Sequence, residues 1–267
     1  MRRTAADKIV KGQVMCRFRS DCVGCNNYFS CVFCSGISKD ISEYILQSRG
    51  YKKPVNAAML KGLEKHKEYL QDFPTIEELG IDNIRNNLVA GKEIIIQEAR
   101  LCNRLWGIRG VADLLEMKLE GNNFHVHITE LKNIYWKQYL FQLAGYALIM
   151  SNSGFELVFD TKTKTGKRRV SGAPVLSSGV PYNFNVKTTL FSTSKNRGFS
   201  MEWMKDGKMS KFGFGITNAL QQKMKEKRLY HKMYLTNINK EERTRQMFLG
   251  RMKPLVKTKP KVYKVVK

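Results

Sequence analysis

One nine-residue stretch constrains the fold of this 267-residue chain more than any other. From Phe124 to Lys132 apolar residues alternate with polar ones, which is the pattern of a β-strand that buries one face. Every second side chain of a strand points to the same side, so Glu130 and Lys132 end an otherwise apolar face. Burying a carboxylate and an amine is costly unless they are paired or bind a metal. This pair therefore points to chemistry rather than to stability.

A second carboxylate precedes this strand in the sequence. Asp113 follows a glycine-containing turn and lies in an apolar segment, Val111 to Leu115, that predicts a further strand. A neighbouring strand would bring Asp113 beside Glu130. Two carboxylates and one lysine are typical of a site that binds a divalent metal and acts on phosphate.

These residues resemble the motifs of the PD-(D/E)XK nucleases, in the RecB-like branch. In that branch a G-x-x-D element is followed by a strand ending in E-x-K and by a helix carrying Q-L-x-x-Y. The corresponding elements here are Gly110 to Asp113, Glu130 to Lys132, and Gln142 to Tyr146. The chain is most similar to the iron–sulfur exonucleases of the CRISPR-adaptation and AddB type. The resemblance covers roughly residues 55 to 165.

The resemblance implies an α/β fold with a restriction-endonuclease-like core, in which helices flank a mixed central sheet. The catalytic residues that it implies are Asp113, Glu130, Lys132, Gln142 and Tyr146. The metal ligands that it implies are His66 in the element Gly62 to His66, Asp113, Glu130 and the carbonyl of Leu131. For His66 an exposed position on a helix face is the alternative. The implied activity is Mg²⁺- or Mn²⁺-dependent hydrolysis of DNA, as an exonuclease favouring single strands, in recombination, repair or genome processing.

Five of the six cysteines lie close together near the N-terminus. They are Cys16, Cys22, Cys25, Cys31 and Cys34. In a chain expected to be intracellular, such a cluster indicates a metal site rather than disulfides. The C-x2-C-x5-C run resembles the cysteine triplet of the iron–sulfur exonucleases and implies a 4Fe-4S cluster, although their triplet follows the core. The fourth ligand is open between Cys16, Cys34 and Cys102. Zinc, held by the two C-x2-C pairs, is the alternative.

The positive charge of the chain is concentrated in its C-terminal part. The net charge is +24, and residues 160–267 carry 26 Lys+Arg against 6 Asp+Glu. An excess of this size predicts a nucleic-acid partner, because phosphate neutralisation drives binding without sequence preference. We therefore expect DNA to bind the basic C-terminal half. A non-catalytic zinc-containing nucleic-acid-binding protein is the alternative function.

The sequence as a whole predicts four regions. They are a Cys-rich metal-binding segment (1–36), a nuclease core (37–170), a basic C-terminal extension (171–251) and a disordered basic tail (252–267). No run reaches the 18 or so apolar residues of a membrane span, and the N-terminus has no apolar signal segment. We expect an intracellular protein, in the cytoplasm or the nucleus, that is not secreted and contacts no membrane.

Local periodicity predicts the elements of the core. Helices are expected at 56–71, 75–90 and 135–150, strands at 92–101, 106–117 and 123–131, a hairpin at 155–170, and basic helices at 217–234 and 239–249. Gln138, Gln142 and Tyr146 should share one helix face. His125 and His127 should point away from Glu130. Glu98 lies on the first strand, where an ion pair with Arg100 or Arg109 is the alternative to a role in the site.

Overall fold

The computed structural model describes residues 37, 57–103, 105–106, 108–133, 139–162 and 168–226. The predicted cysteine segment, the helix expected at 239–249 and the basic tail lie outside these residues. Within the described ranges the chain is an α/β protein, in which a few helices pack on one mixed sheet.

Eight strands form that sheet. They are β1 (Ile94–Asn103), β2 (Ile108–Glu120), β3 (Asn123–Lys132), β4 (Phe155–Lys162), β5 (Arg168–Pro174), β6 (Asn183–Ser192), β7 (Arg197–Lys205) and β8 (Lys208–Met209). Their order across the sheet is β5-β4-β1-β2-β3-β6-β7-β8. Strands β3 and β6 run parallel, and every other neighbouring pair is antiparallel. The central strand β3 therefore has an antiparallel neighbour on one side and a parallel neighbour on the other.

The helices pack on this sheet. They are α1 (Ala57–Leu70), α2 (Ile76–Leu79), α3 (Ile81–Val89), α4 (Tyr139–Ile149) and α5, which covers residues 211–226. Helix α4 contains no charged residue, and every side chain from Gln142 to Ile149 is buried. It contacts β1, β2, β6 and β7, and so covers the middle of one sheet face. An apolar helix of this kind belongs in a core.

Most of the predicted elements are confirmed within the described residues. The helix expected at 56–71 is α1, and the three predicted strands are β1 to β3, each extended by one to three residues at its C-terminal end. The hairpin predicted at 155–170 is β4 and β5, paired from Glu156↔Pro174 to Lys162↔Arg168. The single helix expected at 75–90 is instead two helices. Gly80, with φ 76°, separates them, because that backbone conformation cannot continue a helix.

The sheet continues past residue 170, where the sequence placed the end of the core. Strand β6 pairs along its whole length with β3, from Asn123↔Asn183 to Lys132↔Ser192. Several residues of this C-terminal part belong to the hydrophobic core, namely Val186, Leu190, Trp203, Leu220 and Met224. The buried Trp203 indole donates a 2.7 Å hydrogen bond to Thr188 Oγ1. The basic region therefore supplies core strands as well as charge.

No helix in the described ranges is long and apolar enough to cross a membrane.

Candidate active site

The carboxylate of Glu130 is buried at the C-terminal end of β3, with an exposed fraction of 2%. The burial of β3 alternates through Phe124, Val126, Ile128 and Glu130, so all four face α4, as the sequence pattern predicts. Lys132 lies two residues further along the same face. A buried carboxylate has to be hydrogen-bonded to be tolerated in such a core.

Three side chains satisfy the Glu130 carboxylate. Oε1 accepts hydrogen bonds from Lys132 Nζ and from Gln142 Nε2, the latter at 2.5 Å. Oε2 lies 2.8 Å from the Tyr146 hydroxyl. Gln142 also donates to the Tyr146 oxygen at 2.8 Å, and the Tyr146 hydroxyl reaches the Val111 carbonyl as well. The single phenol proton can be donated either to Glu130 or to Val111, depending on the rotation of the O–H bond.

Asp113 lies beside Glu130 on the neighbouring strand. The β2–β3 ladder ends at Leu114↔Thr129, so Asp113 and Glu130 are the next residues in register. Asp113 Oδ2 accepts a 2.6 Å hydrogen bond from the Leu131 backbone N–H. The Asp113 side chain therefore takes the place of the next backbone hydrogen bond between β2 and β3. This contact holds the Asp113 carboxylate against the end of β3.

Near Asp113, the buried positions of two neighbouring strands, β1 and β2, both switch from even to odd residue numbers. In β1 the alternating buried positions are Ile94 and Ile96 on one side of Glu98 and Ala99 and Leu101 on the other, before a fully buried end at residues 102–103. In β2 the same shift from even to odd numbering of the buried positions occurs across Asp113. The register places Glu98 opposite Asp113, and this pair is missing from an otherwise continuous ladder.

Glu98 has a φ of 46°, a left-handed conformation that is costly for a residue with a side chain. Irregularities of this kind reorient side chains beside functional sites. The ion pair considered between Glu98 and Arg100 is not what the structure contains, because Arg100 pairs with Glu77 and Asp160. A regular strand pair would have required no such conformation at Glu98.

His66 approaches the same point from α1. Its Nε2 lies 2.9 Å from the Leu131 carbonyl, and its Nδ1 lies 3.8 Å from Asp113 Oδ1. A carbonyl can only accept, so Nε2 carries a proton in this contact, and in the neutral imidazole the lone pair is then on Nδ1. The alternative placed this histidine on an exposed helix face, whereas its side chain is partly buried, with an exposed fraction of 28%, and contacts the end of β3.

Burial and charge shift the pKa values of the two carboxyl groups in the same direction. Burial raises the pKa of Glu130 to about 7, and the nearby Asp113 carboxylate adds to the rise, against the opposing effect of Lys132. Burial also raises the pKa of Asp113, although Lys132 and His66 act in the opposite sense. Two carboxyl groups close together in a core repel each other when both are ionised, and a cation relieves that repulsion.

Lys132 and Tyr146 are shifted as well. Burial lowers the pKa of Lys132, but the carboxylates of Glu130 and Asp113 together outweigh it, so the net shift is upward. Lys132 is therefore a cation at neutral pH, and its ammonium lies 5.3 Å from the centre of the Tyr139 ring. Burial raises the pKa of Tyr146 well above its ordinary value, with Glu130 contributing, so the phenol stays protonated.

Two glycines of the sequence motifs make room for this cluster. A Cβ atom on Gly110 would lie 2.7 Å from Tyr146 Cε1 and 2.7 Å from Ile37 Cδ1. On Gly145 it would lie 2.7 Å from the same Ile37 atom. Real side chains do not approach so closely. The glycines therefore allow α4 and Ile37 to pack directly on β2, which brings Tyr146 to Glu130.

The donor set suits a divalent cation in chemistry and only partly in arrangement. Among the residues that the structure describes, no three His, Cys, Asp or Glu side chains are grouped as a ready metal site. The 3.8 Å between His66 Nδ1 and Asp113 Oδ1 exceeds a hydrogen bond, yet two ligands at about 2.1 Å from one Mg²⁺ can span it. A ligand histidine commonly donates its other nitrogen to a carbonyl, as His66 does to Leu131. The group that departs from the expected set is Glu130, whose oxygens already have partners.

The other residues discussed from the sequence divide into two groups. His127 points away from Glu130, as expected, and bridges Glu116 Oε2 at 3.2 Å and Thr189 Oγ1 at 2.7 Å on the opposite sheet face. A cavity of about 280 Å³ lies on that face beside His125 and His127, and neither Asp113 nor Glu130 lines it. Gln138 and the five cysteines of the predicted cluster lie outside the described residues.

Some features of the site have no counterpart in local sequence patterns. The phase change at Glu98, the contact of Leu131 N–H with Asp113, and the packing of Ile37 against both glycines depend on distant segments. Of these residues, only Asp113 and Gly110, the ends of the G-x-x-D element, were visible as motif positions. The sequence matches no protein-family model, and no curated protein is significantly similar to it.

Proposed function

We propose that this chain is a Mg²⁺- or Mn²⁺-dependent deoxyribonuclease with a restriction-endonuclease-like core, acting on single-stranded DNA from an end. The observation that carries the proposal is the meeting of residues from three separate motifs around one buried carboxylate. Asp113, Glu130 and Lys132 lie together at the end of β3, and Gln142 and Tyr146 of α4 contact Glu130.

The geometry supports a hydrolytic role for these residues. Asp113, Glu130 and His66 would hold the cation, beside the Leu131 carbonyl. A bound divalent cation lowers the pKa of a coordinated water and neutralises charge on the scissile phosphate. Gln142 and Tyr146 would keep the Glu130 carboxylate oriented, since each donates to or contacts one of its oxygens.

Lys132 would act on the phosphate directly. The Lys132 side chain is partly exposed, with a fraction of 21%, whereas the Glu130 side chain is closed to solvent. An ammonium with three donors can both hold Glu130 and stabilise the charge that develops on the phosphate. The raised pKa keeps this group positive throughout the neutral range.

The test compares two lysines that pair with a glutamate two residues away. Lys132→Ala should abolish Mn²⁺-dependent cleavage of end-labelled single-stranded DNA and leave DNA affinity within a few-fold of the unsubstituted chain. Lys118→Ala is the control, because Lys118 pairs with Glu120 on an exposed part of β2. Retained cleavage in Lys132→Ala, or equal loss of cleavage in both variants, would contradict the role of Lys132.

A further outcome decides between the two function classes. If the unsubstituted chain binds DNA tightly but cleaves neither single strands nor duplex with Mg²⁺ or Mn²⁺, the nuclease proposal fails. The chain would then be a non-catalytic nucleic-acid-binding protein that binds through its basic C-terminal half. Zinc and a 4Fe-4S cluster would be the competing cofactors at the N-terminal cysteines. Metal analysis of the purified full chain separates those two cofactors.

A further inference from the structure

Two exposed residues of β7 lie on the same sheet face as the candidate active site. The β3–β6 and β6–β7 registers place Glu130 opposite Leu190 and Leu190 opposite Phe199. Residues paired in neighbouring strands share a face of the sheet. Leu190 belongs to the hydrophobic core on the α4 side, and Met201, two residues after Phe199, packs against that core. Phe199 therefore lies on the side that carries Glu130.

Two residues further along, the same three strands place a lysine and an arginine in one row across the sheet. Lys132 pairs with Ser192, and Ser192 pairs with Arg197. Neighbouring strands are about 4.8 Å apart, so Arg197 and Phe199 lie about 10 Å from Lys132 and Glu130, two strands away. Both are exposed, and Phe199 has an exposed fraction of 49%.

The charge of the segment around Arg197 and Phe199 suits a polyanionic ligand. Residues 188–201 include Lys195 and Arg197 and contain no acidic residue. Lys195 lies in the β6–β7 turn, at the sheet end where β3 and β6 finish. Cations beside an exposed aromatic ring are the elements of single-strand binding, in which phosphates meet the cations and bases stack on the ring. In a duplex the faces of internal bases are already stacked on one another, so the ring favours a single strand.

We propose that Arg197 and Phe199 form a single-stranded-DNA subsite that positions the strand beside the active site. Phe199 stacks one unpaired base, and Arg197 neutralises a phosphate of the same strand. The proposal rests on the proposed nuclease function for its place in the reaction, and it names single-stranded DNA as the substrate class. It can be tested by binding alone.

The first experiment measures the anisotropy of a labelled oligo(dT) 20-mer with the full chain in EDTA, so that cleavage cannot occur. Phe199→Ala should weaken binding about fivefold to a hundredfold, the range for loss of one stacked base, and Phe199→Trp should restore it. Phe214→Ala is the matched control, because Phe214 is an exposed phenylalanine of the same basic half, on α5. Unchanged affinity in Phe199→Ala, or an equal loss in Phe214→Ala, would overturn the proposal.

The second experiment follows the salt dependence of binding. Arg197→Gln should reduce the slope of log K against log salt by about 0.7, the value for one phosphate contact of a single strand. Lys92→Gln is the control, since Lys92 is exposed at the opposite end of the sheet, just before β1. If both variants change the slope equally, the cation effect is diffuse and the subsite is wrong. This measurement carries the test by itself should Phe199→Ala fail to fold.

A duplex arm and a cleavage arm complete the test. Phe199→Ala should leave the affinity for a blunt duplex unchanged, and an equal loss on duplex and single strand would refute base stacking. If the unsubstituted chain cleaves no DNA but Phe199→Ala still loses single-strand affinity, the nuclease function fails and the binding surface stands. If cleavage is present and both β7 variants bind normally, the subsite fails and the nuclease function stands.

Discussion

The Nδ1 atom of His66 lies 3.8 Å from Oδ1 of Asp113, while the Nε2 atom of the same ring contacts the Leu131 carbonyl at 2.9 Å. The histidine thus joins helix α1 to the C-terminal end of β3 and to the neighbouring part of β2. Since Nε2 donates to the carbonyl, Nδ1 is the ring nitrogen on the side where Asp113 lies, and it bears the lone pair in the neutral imidazole. His66 and Asp113 thus form a pair of ligand-type groups, and the hydrogen bond to the Leu131 carbonyl sets the orientation of the imidazole.

His66→Ala should weaken Mn²⁺ binding to the full chain by at least about tenfold, because it removes a nitrogen ligand and frees the Leu131 carbonyl. Isothermal titration with MnCl₂ measures the change. His125→Ala is the control, since His125 is exposed on the opposite face near Glu120, at 3.7 Å. Equal Mn²⁺ affinity of His66→Ala and the unsubstituted chain would show that His66 is not a ligand.

Glu130→Gln should change how stability depends on pH in the metal-free protein. The pKa of Glu130 is about 7 when folded against an ordinary value of 4.5, so the folded state binds more protons between these values. The free energy of unfolding therefore falls as pH rises from 4.5 to 7, by on the order of 3 kcal/mol in all. The variant has no carboxyl group at this position and should lack this fall.

Urea unfolding in EDTA at pH 5 and pH 8 measures this difference. Glu116→Gln serves as the comparison, because Glu116 is a carboxylate of similar strand position on the opposite face, and it should keep the slope of the unsubstituted chain. A Glu130→Gln variant with the same pH dependence as the unsubstituted chain would show that the buried carboxyl group does not titrate in this range.

Tyr146→Phe should lower both stability and cleavage. The substitution leaves Glu130 Oε2 and the Gln142 amide each without one hydrogen-bond partner in the core, at a cost of about 1–3 kcal/mol. Cleavage should fall by about tenfold, because a less constrained carboxylate supports the site less well. Tyr139→Phe is the matched control, since it keeps the aromatic ring that faces Lys132. Thermal unfolding and single-turnover cleavage are the measurements, and equal effects in both variants would contradict the role of the Tyr146 hydroxyl.

Gly110→Ala should destabilise the fold by about 1–3 kcal/mol, because the new methyl group would overlap Tyr146 and Ile37 at 2.7 Å. The opposite effect on stability is expected for Gly62→Ala. Gly62 lies within α1, nothing lies within 4 Å of its missing Cβ atom, and alanine should stabilise the helix by up to about 1 kcal/mol. Chemical denaturation of both variants measures the contrast, and a Gly110→Ala variant as stable as the unsubstituted chain would show that the packing relaxes without cost.

The alternating pattern of residues 124–132 was enough to predict the course and the facing of β3, including the side taken by His127. The spacing of four between Gln142 and Tyr146 placed both on one helix face, and the structure brings both to Glu130. Such predictions succeed because side-chain direction within one strand or helix follows from backbone geometry alone. Metal binding and catalysis by these residues remain predictions.

Other features depended on contacts between segments that are distant in the sequence. The parallel pairing of β3 with β6 carries the sheet into the basic region, and no local pattern indicates which strand will lie beside another. The shared phase change at Glu98 and Asp113 likewise exists only when β1 and β2 are paired. The sequence by itself therefore determined the facing of individual elements and the chemical types of the site residues. The tertiary structure decided which of them meet, because hydrogen bonding between strands and close packing at glycines join parts of the chain that local periodicity treats independently.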